Sequence, residues 1–251
     1  MKELVKAHER IDDLQFRGLK LIQNPESFCF GTDAVLLADF ATVKKNAVVC
    51  DLGTGTGILP ILLYGRHEFC RCDAVEIQPD MADMASRSIQ YNRLENKIKI
   101  HCGDLRKVQE ILPSCVYTTV VCNPPYKKNH SGEHNVQNSH ALSRHEETCT
   151  LEDVCAAAAY LLKNGGRFAI INHSDRIVDI FETMRQYRIE PKRCRLVQAR
   201  PNMPAYVILV EGVKEGKPYM HWESTLCIYD VNGKLNSEIN RIYHRSEEQE
   251  K

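Results

Sequence analysis

Two periods of apolar and polar positions alternate along the chain, and each change of period marks a new element. Leu14, Phe16, Leu19, Leu21 and Ile22 stand among polar residues before the turn signal Asn24-Pro25-Glu26. This stretch predicts a helical lead-in and one or two short strands forming a lid edge. Thr32 sits where an N-cap belongs, ahead of a helix carrying Val35, Leu36, Leu37 and Phe40. Short apolar runs at 47–50, 72–77, 97–102, 117–122 and 167–172 predict buried strands. Between them lie helical patterns: 57–64, a stretch after Pro79 with Met81, Met84, Ala85 and Ile89 in step, 151–162, and 175–187. Asn164-Gly165-Gly166 reads as a helix stop. The runs 193–198 and 205–210 close the pattern as a strand pair. Strand and helix in regular alternation predict an α/β fold, a mostly parallel doubly wound sheet with an antiparallel last strand.

The chain has 251 residues, enough for one ordinary domain with a small appendage. The boundaries read as a lid or edge segment at 1–30, the main domain at 31–244 and a polar tail at 245–251. With 43% hydrophobic and 26% charged residues it has the composition of a soluble globular protein. No run approaches the roughly 18 apolar residues of a membrane span. Met1-Lys2-Glu3-Leu4-Val5-Lys6 lacks an apolar signal core, which points to the cytoplasm. The 11 cysteines then read as reduced thiols, mostly small core residues. Formal net charge is zero, so a nucleic-acid partner would need a local basic patch.

Candidate chemistry begins at the turn Asp51-Leu52-Gly53-Thr54-Gly55-Thr56-Gly57, between an apolar strand and an apolar helix. Glycines there let the backbone approach a ligand and aim a helix N-terminus at it. A dinucleotide fingerprint requires G-x-G-x-x-G/A. Counted from Gly53 the third position is Ile58, and counted from Gly55 it is Pro60. Three acids close three successive strands: Asp51, Glu76 and Asp104. Glu76, about twenty residues past the turn, is placed to accept two ribose hydroxyls. Asp51 suits a sulfonium or ammonium, and Asp104 could accept from an adenine amine.

The second feature is Asn123-Pro124-Pro125-Tyr126, directly after the run Thr118-Thr119-Val120-Val121-Cys122. An exocyclic amine or amide is a poor nucleophile because its lone pair is delocalised into the adjacent π system. Two acceptors aimed at its hydrogens free that pair. The Asn123 side-chain oxygen and the Pro124 carbonyl are such acceptors, and Pro124 has no N–H to compete. Pro125 stiffens the turn and Tyr126 offers a face to a flat substrate. The quartet alone does not separate adenine N6 from guanine N2 or a glutamine amide. With the glycine turn it points to alkylation of a planar NH2 by S-adenosylmethionine (SAM).

On these motifs, together with Phe30-Gly31-Thr32-Asp33-Ala34-Val35-Leu36-Leu37, Val75-Glu76-Ile77-Gln78, Arg144-His145-Glu146 and the 162–166 segment, the chain resembles a known group. It is similar to the amino-methyltransferases of the methyltransferase small domain group. It resembles more closely the bacterial tRNA1(Val) (adenine-37-N6)-methyltransferase family, in its Gram-positive branch. The resemblance implies a Rossmann-like class I fold of seven strands, SAM as donor and N6-methyladenine in tRNA as product. It implies a cofactor set of Thr32, Asp33, Asp51, Gly53, Thr54, Gly55, Gly57, Glu76, Ile77, Asp104, Leu105 and Asn123. Asn123, Pro124, Pro125 and Tyr126 would be the catalytic group.

The polar segment after the quartet is the expected substrate loop, with Tyr126, Lys127, Lys128, Arg144 and His145 as contacts. Its histidines match no metal-ligand spacing, so no metal is expected. Lys192, Arg193, Arg195 and Arg200 form a second basic set that would suit phosphates, or equally a solvated strand face. The in-class rivals are protein-glutamine N5- and rRNA guanine-N2-methyltransferases. The first should carry a separate helical domain for its protein substrate. A catalytically silent RNA-binding protein of the same fold would be expected to lose the turn or the quartet.

Overall fold

The computed structural model describes residues 4–25, 31–124 and 149–244. Its main sheet has seven long strands: β3 (Val48–Leu52), β4 (Arg71–Glu76), β5 (Ile98–Cys102), β6 (Tyr117–Cys122), β7 (Leu162–His173), β8 (Ile189–Gln198) and β9 (Ala205–Lys214). Two-residue strands β10 (His221–Trp222) and β11 (Leu226–Cys227) extend it beside β8. The spatial order is β10-β8-β9-β7-β6-β3-β4-β5. β3 to β7 pair in parallel, and β9 runs antiparallel to both neighbours. The antiparallel last long strand is thus inserted between β7 and β8.

One face is covered by α1 (Thr32–Phe40), α2 (Ile58–Arg66) and α3 (Pro79–Tyr91), the other by α4 (Leu151–Leu161) and α5 (Ile177–Gln186). Alternation along the central strands feeds both cores. Val49 and Val121 point to the first, with Leu37, Ile61 and Leu63. Cys50, Leu52, Val120 and Cys122 point to the second, with Phe168, Ile180 and Met184. A short helix α6 (Ser237–Ile242) closes the first face with buried Ile239 and Ile242. All ten described cysteines carry free thiols, and Cys50, Cys72, Cys122, Cys155 and Cys194 are buried. Among the described residues no helix is long and apolar enough to cross a membrane.

The N-terminal strands β1 (Arg10–Asp13) and β2 (Lys20–Gln23) form an antiparallel hairpin outside the main sheet. It is fastened to α3. The Asn92 carboxamide accepts from Lys20 N at 2.9 Å and donates to Lys20 O at 2.7 Å. Ser88 Oγ accepts from Ile22 N at 3.0 Å. Arg87 donates twice to Glu9, at 2.6 Å each.

Several boundaries differ from the sequence reading. Thr32 is the first helical residue of α1, and Gly31 is its N-cap with no side-chain bond. The Asn164-Gly165-Gly166 stop belongs instead to β7, because α4 ends at an extended Leu162. There the β6–β7 register jumps from Tyr117↔Leu162 to Thr119↔Arg167, so the glycines form a bulge. β8 starts four residues earlier than its apolar run (189 against 193), and Pro191 is absorbed by a second register shift. β9 continues through Glu211, which hydropathy alone does not read as interior.

Glu211 is fully buried and accepts from Thr42 N at 2.7 Å, Thr42 Oγ1 at 3.0 Å and Arg167 Nη1 at 2.8 Å. Arg193 lies 3.6 Å away, stacked over Phe40 and donating to its carbonyl. This knot ties the end of α1 to β7, β8 and β9. Glu211→Ala would strand Arg167 and the Thr42 donors. Their partial exposure keeps the loss near the low end for a broken buried pair, about 3 kcal/mol. Urea unfolding is expected to show a lower midpoint with an unchanged slope.

Candidate active site

The parallel register of β3 with β6, ending at Leu52↔Cys122, fixes the site. β4 lies on the other side of β3 and β7 on the other side of β6, so strand order reverses between β3 and β6. Ligands of open α/β sheets bind at such a switch point, beyond the strands' carboxyl ends. The next residues on the two strands are Gly53 and Asn123. The glycine turn and Asn123 therefore leave the sheet side by side, one strand spacing (about 4.8 Å) apart.

Gly53, Gly55 and Gly57 have φ of 75°, 57° and 85°, in the left-handed region that only glycine enters cheaply. A Cβ on Gly53 or Gly55 would meet nothing within 4 Å, so this backbone faces open space. Gly57 instead packs against α3, where a Cβ would lie 3.3 Å from that of Ala85. The turn's amides are already engaged. Gly53 N and Thr54 N donate to Val75 O, Gly57 N donates to Thr54 O, and Gly55 N donates to Glu76 Oε2 at 2.8 Å. Glu76 Oε1 accepts from Gln78 N at 2.9 Å. A cradle for a pyrophosphate needs free N–H groups aimed at the ligand. This turn instead presents carbonyls and carboxylates, which suit a cationic, hydroxyl-bearing ligand.

Asp51 is fully buried on the α1–α2 face of β3, and neither carboxylate oxygen has a partner. Burial pushes its carboxyl up to about 7, with the Glu76 charge adding and the nearby Thr54 hydroxyl opposing. Thr54 Oγ1 is also buried and unpaired. A third such group went unnoticed in the sequence: the Gln23 carboxamide, fully buried, with neither Oε1 nor Nε2 bonded. β2 meets Asn92 at Lys20 and Ser88 at Ile22, advancing toward the start of α3. Gln23 follows Ile22 as the last residue of β2. Its signal in the sequence was a polar residue ending a buried strand just ahead of a turn.

Orphaned buried donors and acceptors beside an open glycine turn fit the methionine and ribose portions of SAM. Asp51 could face a positive charge, and the free lone pairs of Glu76 could accept hydroxyls. Thr54 and Gln23 offer both donors and acceptors. Asp104 N-caps the 3-10 turn Leu105–Glu110 two residues past β5 and is claimed by Arg106, whose Nη2 lies at 2.5 Å. The guanidinium holds its carboxyl below the usual range. An adenine amine there would share Asp104 with Arg106. Ile77 is 40% exposed directly after Glu76, where it can offer an apolar face to a flat ring. Leu105 is partly buried against the second core.

Thr32 and Asp33 open α1, and the Asp33 charge helps raise the phenol of Tyr206 at the start of β9. Asn123 and Pro124 are half-buried at the end of β6. Pro125, Tyr126, Lys127, Lys128, Arg144 and His145 lie outside the described residues. Of the two readings of the second basic set, phosphate contact or a solvated strand face, neither describes Arg193 and Arg195, which are paired within the chain. Arg195 is bonded twice to Glu238, Arg193 to Phe40 O and Glu223, and Lys192 Nζ to Lys217 O. Strand alternation turns Arg193 and Arg195 toward α1 and α6, where buried Glu211 and the half-buried Glu223 and Glu238 claim their charges. Arg200 is exposed, and neither it nor Lys192 makes an ion pair among the described residues.

Two cavities lie away from this edge. One, of about 300 Å³ between α1, β8 and α6, is lined by Arg193, Arg195 and Arg241 with the acids that pair them. The other, of about 390 Å³ at the amino ends of β4 and β5, holds Asp73 bonded to His101 Nε2 (2.8 Å) and Tyr117 OH (3.0 Å).

Against known proteins, the family model described as the methyltransferase small domain matches residues 27–188. A Porphyromonas gingivalis tRNA1(Val) (adenine(37)-N6)-methyltransferase is 29% identical over 242 residues, covering 92% of this chain and 93% of that protein. One from Aliivibrio salmonicida is 25% identical over 213 residues, covering 85% and 88%. Among solved structures, a predicted O-methyltransferase from Agrobacterium tumefaciens superposes with a TM-score of 0.69 at 20% identity, covering 85% of this chain and 97% of that one. Geranyl diphosphate C-methyltransferase from Streptomyces coelicolor, solved with S-adenosyl-L-homocysteine, gives 0.53 at 12% identity, covering 72% and 79%. These structural likenesses speak for the fold, whereas the family match spans more than half the sequence: the chain belongs to the methyltransferase small domain family.

Proposed function

We propose that the protein is a SAM-dependent methyltransferase acting on adenine N6 in tRNA, in the cytoplasm where that RNA is made. One observation carries the reading. The β3–β6 register sets Asn123-Pro124 directly beside a glycine turn backed by an unpaired buried carboxylate. The tRNA substrate is supported by the relatives above, which match over nearly their full length.

SAM, when bound, supplies an electrophilic methyl group. The chain's own residues do the rest. The Asn123 side-chain oxygen and the Pro124 carbonyl accept the two hydrogens of the target NH2, which returns the lone pair to nitrogen. Rigid placement of these acceptors at a strand end provides alignment, the larger part of the acceleration. No strong base is needed before attack, because the nitrogen becomes acidic only once alkylated.

Asn123→Ala is expected to keep SAM affinity while methyl transfer falls by about a hundredfold or more, as for loss of a positioned polar group. Calorimetry and incubation of tRNA with labelled SAM, followed by nucleoside analysis, measure the two. Activity within a few fold of the parent would remove Asn123 from the acceptor role, and label in a product other than N6-methyladenine would redirect the substrate.

Asp51 gives a pH prediction. A cationic ligand binds its ionised form, so binding below pH 7 must displace a proton from a carboxyl whose pKa in the free protein is about 7. SAM affinity should therefore fall as pH drops from 8 toward 5.5, by up to about tenfold per unit below 7. Asp51→Asn should bind more weakly and lose most of that dependence. A flat profile in the parent protein would place the positive charge elsewhere.

A further inference from the structure

Beyond the acceptor pocket, the carboxyl edge of the sheet carries a second surface formed where β8 turns into β9. β8 runs parallel to β7 and β6, so the segment 199–204 and the start of β9 rise at the same end as Asn123. Cys122 is level with Ile170, whereas β7 continues to His173, opposite Val207. Tyr206 therefore stands two strands aside and about three rungs above Asn123, roughly 10 Å in each direction.

Tyr206 and Tyr229 are each 39% exposed. The Arg200 guanidinium lies 6.0 Å from the centre of the Tyr229 ring. Burial first, then the charges of Asp33 and Tyr229, raise the Tyr206 phenol, so all three groups share one electrostatic neighbourhood. The backbone beneath is pinned. Ser174 Oγ donates to Ala205 O at 2.6 Å, the His173 ring lies 3.4 Å from Tyr206 O, and Tyr229 N donates to Ala199 O at 2.9 Å. Arg200 is exposed and makes no ion pair among the described residues, unlike Arg193 and Arg195 on the preceding strand β8. Solvated tyrosines are ordinary surface residues, but two of them with an uncommitted arginine, on a fixed backbone at the rim of an active site, form a stacking platform.

We infer that Arg200, Tyr206 and Tyr229 hold the nucleotides flanking the target base in single-stranded RNA. This rests on the proposed tRNA reading and adds where the strand runs. A base must leave its stack to reach Asn123, and its neighbours lose their partners when it does. Aromatic faces restore that stacking without regard to sequence, and an unpaired guanidinium holds a phosphate. Asp33, the acid whose charge helps raise the Tyr206 phenol, lies on the cofactor side, so the backbone passes on the Arg200 side. A peptide would instead need an apolar groove for its side chains, and the one large apolar side chain exposed on the turn is Met203.

The test uses the full chain with Tyr206→Ala, Tyr229→Ala, both together, the two Phe counterparts, and Arg200→Ala. tRNA binding is followed by anisotropy, which needs no turnover, alongside KM for tRNA, kcat and SAM affinity. The double Ala variant should raise KM and the RNA Kd by about tenfold or more, with SAM affinity kept and most of kcat retained. The Phe variants should restore binding, and Arg200→Ala should flatten its salt dependence. 2-Aminopurine next to the target adenine should lose its quenching in the Ala variants. Unchanged RNA Kd, Phe variants as weak as Ala, or an effect confined to a glutamine peptide would each overturn the platform. Intact tRNA methylation with neutral platform variants sinks this inference alone. Platform-dependent RNA binding without methylation sinks the functional reading and leaves the platform standing.

Discussion

Parallel pairing of β3 with β6 is the constraint on which the rest depends. It is a backbone interaction, set by four register pairs from Val49↔Thr119 to Leu52↔Cys122. A slip by one residue would turn Asp51 from the α1–α2 face to the α4 face and exchange Val120 with Val121 between two cores. Both faces are buried, so the slip would cost the packing of both layers at once. That double penalty holds the glycine turn and Asn123 at the same height. Site geometry here is a by-product of core packing, and it tolerates no independent adjustment.

Much of this was legible because the central strands are short β-branched runs between turn signals. The run 117–122 coincides with β6, and Pro79 opens α3. Motif positions followed from strand ends, which periodicity locates well. Legibility failed where tertiary contacts overrode local signals. Gly165-Gly166 reads as a helix stop, yet the chain uses these residues as a bulge that lets β7 keep pairing with β6. Thr32 has the side chain of a cap but enters the helix, with Gly31 outside. Arg193 and Arg195 look like a phosphate grip in one dimension. Their acids, Glu211, Glu223 and Glu238, come from three other places in the sequence. Gln23 carried no motif at all, and only burial without a partner draws notice to it.

The turn's hydrogen bonds explain why spacing separates methyl donors from dinucleotides. In a pyrophosphate cradle the amides point outward to the anion. Here Val75 O takes two amides and Glu76 a third, so the loop turns its N–H groups inward. The glycines serve the fold of the loop, whose amides are spent on Val75 O, Thr54 O and Glu76. The sequence G-x-G-x-G therefore encodes a charge preference as well as a shape, through which backbone groups it leaves free.

Two fully buried carboxylates on neighbouring parts of one sheet show how to tell scaffold from site. Glu211 and Asp51 are both at 0% exposure. Glu211 is met by a hydroxyl, an amide and a guanidinium within 3.0 Å, and a second guanidinium just beyond. Its desolvation is offset inside the chain, and its role ends with holding α1 to the sheet. Asp51 has no comparable set of partners: the nearby Thr54 hydroxyl only partly opposes the burial that raises its carboxyl to about 7. An interior acid left in that state destabilises the fold, since a neutral isostere would remove the penalty. Stability alone would not retain it beside an open glycine turn, with Thr54 and Gln23 also unpaired. A bound cation would offset that cost, which is why Asp51 is assigned to the proposed site and Glu211 to the scaffold.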